Sequence, residues 1–343
     1  MNKNKKKKDL GFSPTELVKV TIFENKSILR QLKEKVKKNL GRSIYDIKKS
    51  NKLNLNLNEN NNFVKTIKSN LLKKKEFFIT TNKGFYHLKN GHLYQIMGNN
   101  NGFFAIASSK NKFFTSCTGS NFSEGGIVSF NFKHKKITDL KIEYKISEQS
   151  LHGITINNNY LYLVNSTWRY DVNEIIKFKI QYNSLKFIER IKPKIIYPFL
   201  HINEIFFHKN NIFVLYHNWT KKTKIPSQLC RFDNKWNFQE IVDTKFSLSG
   251  AHDIEFINNS LYISNSENSI FVANNNKIFF RNKFVRGFTY DLNNFYIGLS
   301  DDLPRDKRKS STTKIGIVNK KNLQKKIINL PDIGSIAKIK LLK

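Results

Sequence analysis

One spacing recurs along this chain and limits what it can fold into. In HGITINNNYLYLVNS, Leu161 stands nine residues after His152, and in HDIEFINNSLYISNS, Leu261 stands nine after His252. The same offset of nine separates Asn203 from Ile212, Arg286 from Phe295 and Phe104 from Phe113. Each unit reads as strand, short turn centred on Asn or Lys, strand. A tight hairpin turn needs positive φ, and Asn tolerates that region better than other non-glycine residues. Only 15 glycines occur in 343 residues, so the Asn pairs are read first as turn chemistry.

The stretch Gly250–Asn282 holds a complete unit of four apolar runs, DIEFI, SLYIS, SIFVA and KIFF, separated by Asn-rich turns. That is one β-meander. Repeated four-strand units at this period predict an all-β propeller. FFITT, GFYHLK and HLYQI, from Phe77 to Met97, supply three strands without an inner one, while IGSIAKIKLL, from Ile333 to Leu342, supplies a strand without mates. Joining them closes a ring and removes the free edges of an open array. Five internal units and this closing one make six blades. Seven would require another sheet within residues 63–76, where KTIKSNLLKKK is a poor source of strand.

The domain organisation follows from the change of period. Residues 1–62 read as a basic N-terminal extension and 63–343 as the propeller. Ser13, Pro14 and Glu16 mark a helix start, and Ile28, Leu32, Val36 and Leu40 recur on one helical face before Gly41. One or two short helices are expected there, followed by a linker in the low-complexity NKLNLNLNENNN from Asn51 to Asn62.

The formal charge of +34 raises the question of an anionic polymer as partner. Against nucleic acid, Lys, Asn, Ile and Phe are enriched together, as A/T-rich codons would produce in any protein, and the lysines are scattered through turns. The two cysteines, Cys117 and Cys230, fall in different blades, which fits a reducing cytoplasm. No run of about 18 apolar residues suggests a membrane span. No GxGxxG, Walker, GxSxG, HExxH or EF-hand pattern is present, and no cofactor is expected.

In a propeller the first strand of each blade lines the channel, and the loop between the second and third strands opens on the face where that strand begins. The frame therefore brings the first-strand positions Phe104, His152, Asn203, His252 and Arg286 to one mouth. It adds the second-strand ends Asn165, His217, Asn265 and Ser300. Arg offers a fork for carboxylate, phosphate or sulfate, and His exchanges protons near neutral pH. His152, His252 and Arg286 are the candidate catalytic set. Asn203, Asn165, Asn265, His217 and Ser300 are candidate ligand-binding residues, with Trp168 and Trp219 as walls for a ring on longer loops. A plain structural role competes: these groups would hydrogen-bond neighbouring blades and hold the ring. Glu204 and Asp253 directly follow first-strand positions, and strand alternation is expected to turn them away from the channel.

The layout resembles six-bladed propellers of the NHL and YWTD type, and more loosely arylsulfotransferase and lactonase-like propellers, over about Phe77–Leu342. The YWTD tetrapeptide is absent. The arylsulfotransferase resemblance implies His and Arg at the mouth. The lactonase resemblance implies an oxygen-ligated calcium, for which Asn165, Asn203, Asn265, Glu267 and Asp301 offer only two charges. His152 with His252 is a thin set for a transition metal, and no metal is assigned. The function expected is binding of a small anionic or polar ligand at the His/Asn/Arg-lined mouth, with acid–base catalysis of a transferase, lyase or hydrolase kind as its extension. The alternative is a non-catalytic scaffold presenting its loop face to a protein or an anionic polymer.

Overall fold

The computed structural model describes residues 57–98, 102–118, 124–134, 136–147, 151–166, 173–182, 184–194, 201–218, 225–273 and 276–342. They form six antiparallel sheets, five of four strands and one of five. Blade 2 runs outward from the channel as Gly102–Ser109, Lys112–Thr118, Glu124–Lys133 and Lys136–Ser147. Blades 3, 4, 5 and 6 repeat this order, with inner strands Leu151–Asn157, Ile202–His208, Ala251–Ile257 and Lys283–Tyr290. Blade 1 is the composite. Ile336–Leu341 is its inner strand, followed outward by Glu76–Thr81, Phe85–Lys89, His92–Met97 and Leu57–Thr66. The six inner strands contact one another in a closed cycle from blade 1 through blade 6. The protein is a six-bladed β-propeller closed by its C-terminal strand, as the spacing predicts.

Two expectations meet a different outcome at the N-terminal side. The helices expected between Ser13 and Gly41 lie outside the described residues. The Asn-rich segment read as a linker is in part a strand, because Leu57–Thr66 pairs with His92–Met97 as a fifth, outermost strand. An edge strand of this kind needs backbone pairing more than apolar side chains, so low complexity does not exclude it. Residues 63–76 hold the end of that strand and one helical turn, Asn70–Lys73, and no seventh sheet occurs among the described residues.

The hairpin turns carry the chemistry expected of them. Asn158, Asn258 and Asn259 have φ of 53°, 50° and 63°, and Lys110 and Lys209 take the same place at 54° and 53°. The core is divided into six layers, one between each pair of neighbouring blades. Phe77, Ile336 and Ile339 of blade 1 pack with Tyr296 and Ile315 of blade 6. Phe78, Phe85 and Phe103 join Phe113 and Phe130 between blades 1 and 2, where the Phe113 and Phe130 rings stack at 5.5 Å.

The ring is also tied by polar links between blades. Ser116 Oγ donates to His152 O at 2.8 Å, Asn203 Nδ2 to Ala251 O at 2.7 Å, and Ser266 Oγ to Val285 O at 2.6 Å. Ile336 N donates to Ser300 Oγ at 2.9 Å. Such groups are buried, and a buried donor or acceptor without a partner costs roughly 1–3 kcal/mol.

Candidate functional site at the channel mouth

The inner strands share a feature that alternation alone does not predict. In every blade the pairing of first and second strand slips at the same level. The irregularity falls at Ala337 in blade 1, Phe104 in blade 2, His152–Gly153 in blade 3, Asn203 in blade 4, Asp253 in blade 5 and Arg286–Gly287 in blade 6. A bulge inserts one residue, breaks the in–out alternation and re-aims the side chains beside it. Two of the bulged residues have left-handed backbone, Asp253 at φ 45° and Gly287 at 73°.

At this level the mouth gathers four imidazoles. His152 and His201 have ring centroids 4.5 Å apart, His201 and His217 are 5.6 Å apart, and His217 and His252 are 5.4 Å apart. Phe104 adjoins His152 at 5.8 Å and Phe284 adjoins His252 at 5.7 Å. The Arg286 guanidinium lies over Phe104 at 5.7 Å, and that of Arg308 lies over Phe284 at 4.5 Å. His152, His201 and His252 are buried, whereas His217, Phe104 and Arg286 are partly exposed.

His252 is the best-defined of the four. Its Nδ1 lies 2.7 Å from Gly250 O and 2.9 Å from Ser266 Oγ, whose own proton goes to Val285 O. A carbonyl only accepts, so Nδ1 carries the proton and Nε2 keeps its lone pair in the neutral ring. Burial, and then the positive charges of Arg286, His217 and His152, hold this imidazole well below its ordinary value of 6.5. The neutral form is therefore the one present at neutral pH. The influence of Arg286, His217 and His152 on one ring places all of them in one neighbourhood.

Beneath this rim is a charged floor. Lys338 Nζ, from the inner strand of blade 1, crosses the channel to Glu204 Oε2 at 3.1 Å and to Asp253 Oδ1. Asp253 Oδ2 accepts the Gly287 amide at 2.7 Å. This corrects the expectation that Glu204 and Asp253 face away. The slips at Asn203 and Asp253 reset the alternation, and both carboxylates reach the channel. Glycine at 153 makes room for the first of them: a Cβ there would sit 2.4 Å from Glu204 Oε1. Burial, and the neighbouring charge of Asp253, raise the Glu204 carboxyl from 4.5 to about 7 against the opposing pull of Lys338. Burial works to lower the Lys338 ammonium, but its two carboxylates outweigh it and keep it cationic. Breaking such a pair from one side leaves an uncompensated buried charge, so the three groups hold one another in place.

The remaining candidates divide. His152, His252, Arg286 and His217 come together at the mouth. Asn165 Nδ2 donates to Glu174 Oε1 at 2.7 Å, and Asn265 accepts from Ser249 N at 2.7 Å and donates to Ser247 O at 3.1 Å. With Asn203 and Ser300, these residues spend hydrogen bonds on the fold. Trp168 and Trp219 lie outside the described residues. His201 is the member the repeat frame misses, because it precedes its inner strand, at φ 62°. Its signal was the histidine in LHINEIFF, two residues before Asn203. Glu204 and Asp253 were signalled by an acid directly after the first-strand position in two neighbouring blades. Among the described residues, no group of three or more His, Cys, Asp or Glu is arranged to hold a metal ion, and no helix is long and apolar enough to cross a membrane.

The fold and site define a six-bladed propeller with a histidine-lined mouth over a buried ion-pair floor. No protein-family model matches the chain, and no curated protein matches it in sequence. Among solved structures it is similar to a protein from Lactobacillus plantarum at 9% identity, covering 78% of this chain and 99% of that one with a TM-score of 0.46. It is also similar to a periplasmic gluconolactonase from Pseudomonas aeruginosa at 10% identity, with 78% and 99% covered and a TM-score of 0.48.

Proposed function

We propose that this protein binds a small anionic ligand at the histidine-lined mouth and exchanges a proton with it there. The observation that carries the reading is the convergence of His152, His201, His217 and His252 with Arg286 on one rim. Arg286 supplies a permanent positive charge and a planar donor fork for carboxylate, sulfate or phosphate. Neutral His252, with its proton fixed on Nδ1, offers Nε2 as the proton acceptor. His152 stands across the same rim as a second imidazole. The polar residues Asn165, Asn203, Asn265 and Ser300 support the mouth by fixing the blades around it.

Titration calorimetry with sulfate, phosphate and a small dicarboxylate at pH 7 tests the reading. Saturable binding of at least one anion is expected, weakened by about tenfold or more in Arg286→Gln, which loses a charge-assisted pair. The variant's melting temperature serves as the check on folding. The reading fails if the wild type binds none of these anions, or if a folded Arg286→Gln binds them equally well.

A further inference from the structure

The opposite end of the channel carries a second cleft, of about 1060 Å³. It is shaped by the far ends of the inner strands of blades 1, 2, 5 and 6. That volume is at the upper end for a small-molecule site. Its apolar lining is half aliphatic and half aromatic, from Ile106, Phe113, Phe132, Phe288, Ile339 and Leu341. Its charged lining is unequal: Lys110, Lys133, Lys338 and Lys340 face two acids, Glu76 and Glu255.

Both acids already have partners within the fold. Glu76 Oε1 lies 2.8 Å from His87 Nε2, and Glu255 Oε1 accepts the Tyr290 hydroxyl at 3.2 Å. Burial raises the Glu255 carboxyl above its ordinary value, against Lys338 and the Tyr290 hydrogen bond, which weakens it further as a negative centre. Lys338 is committed to Glu204 and Asp253. By contrast, Lys110 and Lys133 are exposed at the rim, with no ion pair among the described residues. Lys338 lines the cleft while bound to Glu204 and Asp253, and none of the rim residues His152, His201, His217, His252 and Arg286 lines it.

We infer that this cleft binds an amphiphilic anion, one acidic group carried on a flat aromatic or aliphatic body. The body would lie on the Phe132 and Phe288 walls, and the acidic group would face Lys110 and Lys133. Such a ligand satisfies both halves of the lining, whereas a small hydrophilic anion would leave the aromatic walls wet.

Anilinonaphthalene sulfonate is a probe of this chemistry. Its fluorescence should rise saturably with one site per chain, and dodecanoate should displace it. Lys110→Glu/Lys133→Glu, a surface change that should leave the melting temperature in place, should weaken binding by at least about tenfold. Arg286→Gln, at the other end of the channel, should bind the probe as the wild type does. The inference is overturned if binding does not saturate, if dodecanoate fails to displace the probe, if the folded double variant keeps wild-type affinity, or if Arg286→Gln loses binding. The last outcome would place the probe at the mouth, and failure at the cleft leaves the anion test at the mouth standing on its own.

Discussion

His252 and Glu204 titrate in opposite senses although they stand in neighbouring blades over one channel. His252 is held below its ordinary value of 6.5 in the folded state. As pH falls through 6.5 the unfolded chain takes up a proton that the folded protein refuses, so stability is lost toward acid. Glu204 is held up at about 7 against an ordinary 4.5. Between those values the folded protein keeps a proton that the unfolded chain releases, so stability falls as pH rises and levels off above about 7. Melting temperature followed from pH 4.5 to 8 separates the two groups. His252→Gln should flatten the acid side of the wild-type profile, and Glu204→Gln should flatten the decline between pH 5 and 7. Unchanged slopes in both variants would mean that the burial of these groups has been misassigned.

At the scale of the element, the shared bulge decides what the inner strands present. The in–out rule was legible in NEIFF and HDIEF, and it failed for Glu204 and Asp253 because a one-residue slip cannot be read from residue type. Gly287 marks where the slip is most constrained. Its φ is 73°, and a Cβ would stand 2.7 Å from Lys338 Cα and 3.0 Å from Ala337 O. Both atoms belong to the backbone of the closing strand and cannot swing aside. Gly287→Ala is therefore expected to cost roughly 1–3 kcal/mol for the left-handed backbone alone, with the collision added to it. Denaturant unfolding at pH 7 measures this. Gly153→Ala is the comparison, since there the nearest atom is the end of the Glu204 side chain. Equal stability of Gly287→Ala and wild type would remove the close approach of blades 6 and 1 from the account of the channel.

For the whole molecule, the ring was legible because its periodicity is imposed by packing. Each blade must bury both faces against neighbours, and so each repeats the same apolar frame. His201 lies outside that frame, between blades, where no repeat constrains the sequence and only the folded chain brings it to His152. Closure itself rests on the inner strand of blade 1. Ile336–Leu341 pairs with Glu76–Thr81, contributes Ile336 and Ile339 to the layer shared with blade 6, and carries Lys338 to Glu204 and Asp253. Ending the chain after Ser335 removes all three at once. It leaves Glu76–Thr81 as an unpaired inner edge and two carboxylates without their cation. Blades stabilise one another as neighbours do in other repeat folds, so the loss should spread around the ring. The truncated chain is expected to show no cooperative thermal transition and to elute as aggregates on size exclusion, because an uncovered apolar strand edge recruits other chains. A synthetic peptide spanning Ile336–Leu341 added during refolding should recover part of the monomer. A truncated monomer that melts cooperatively within a few degrees of the full chain would show that five blades and an open sixth suffice.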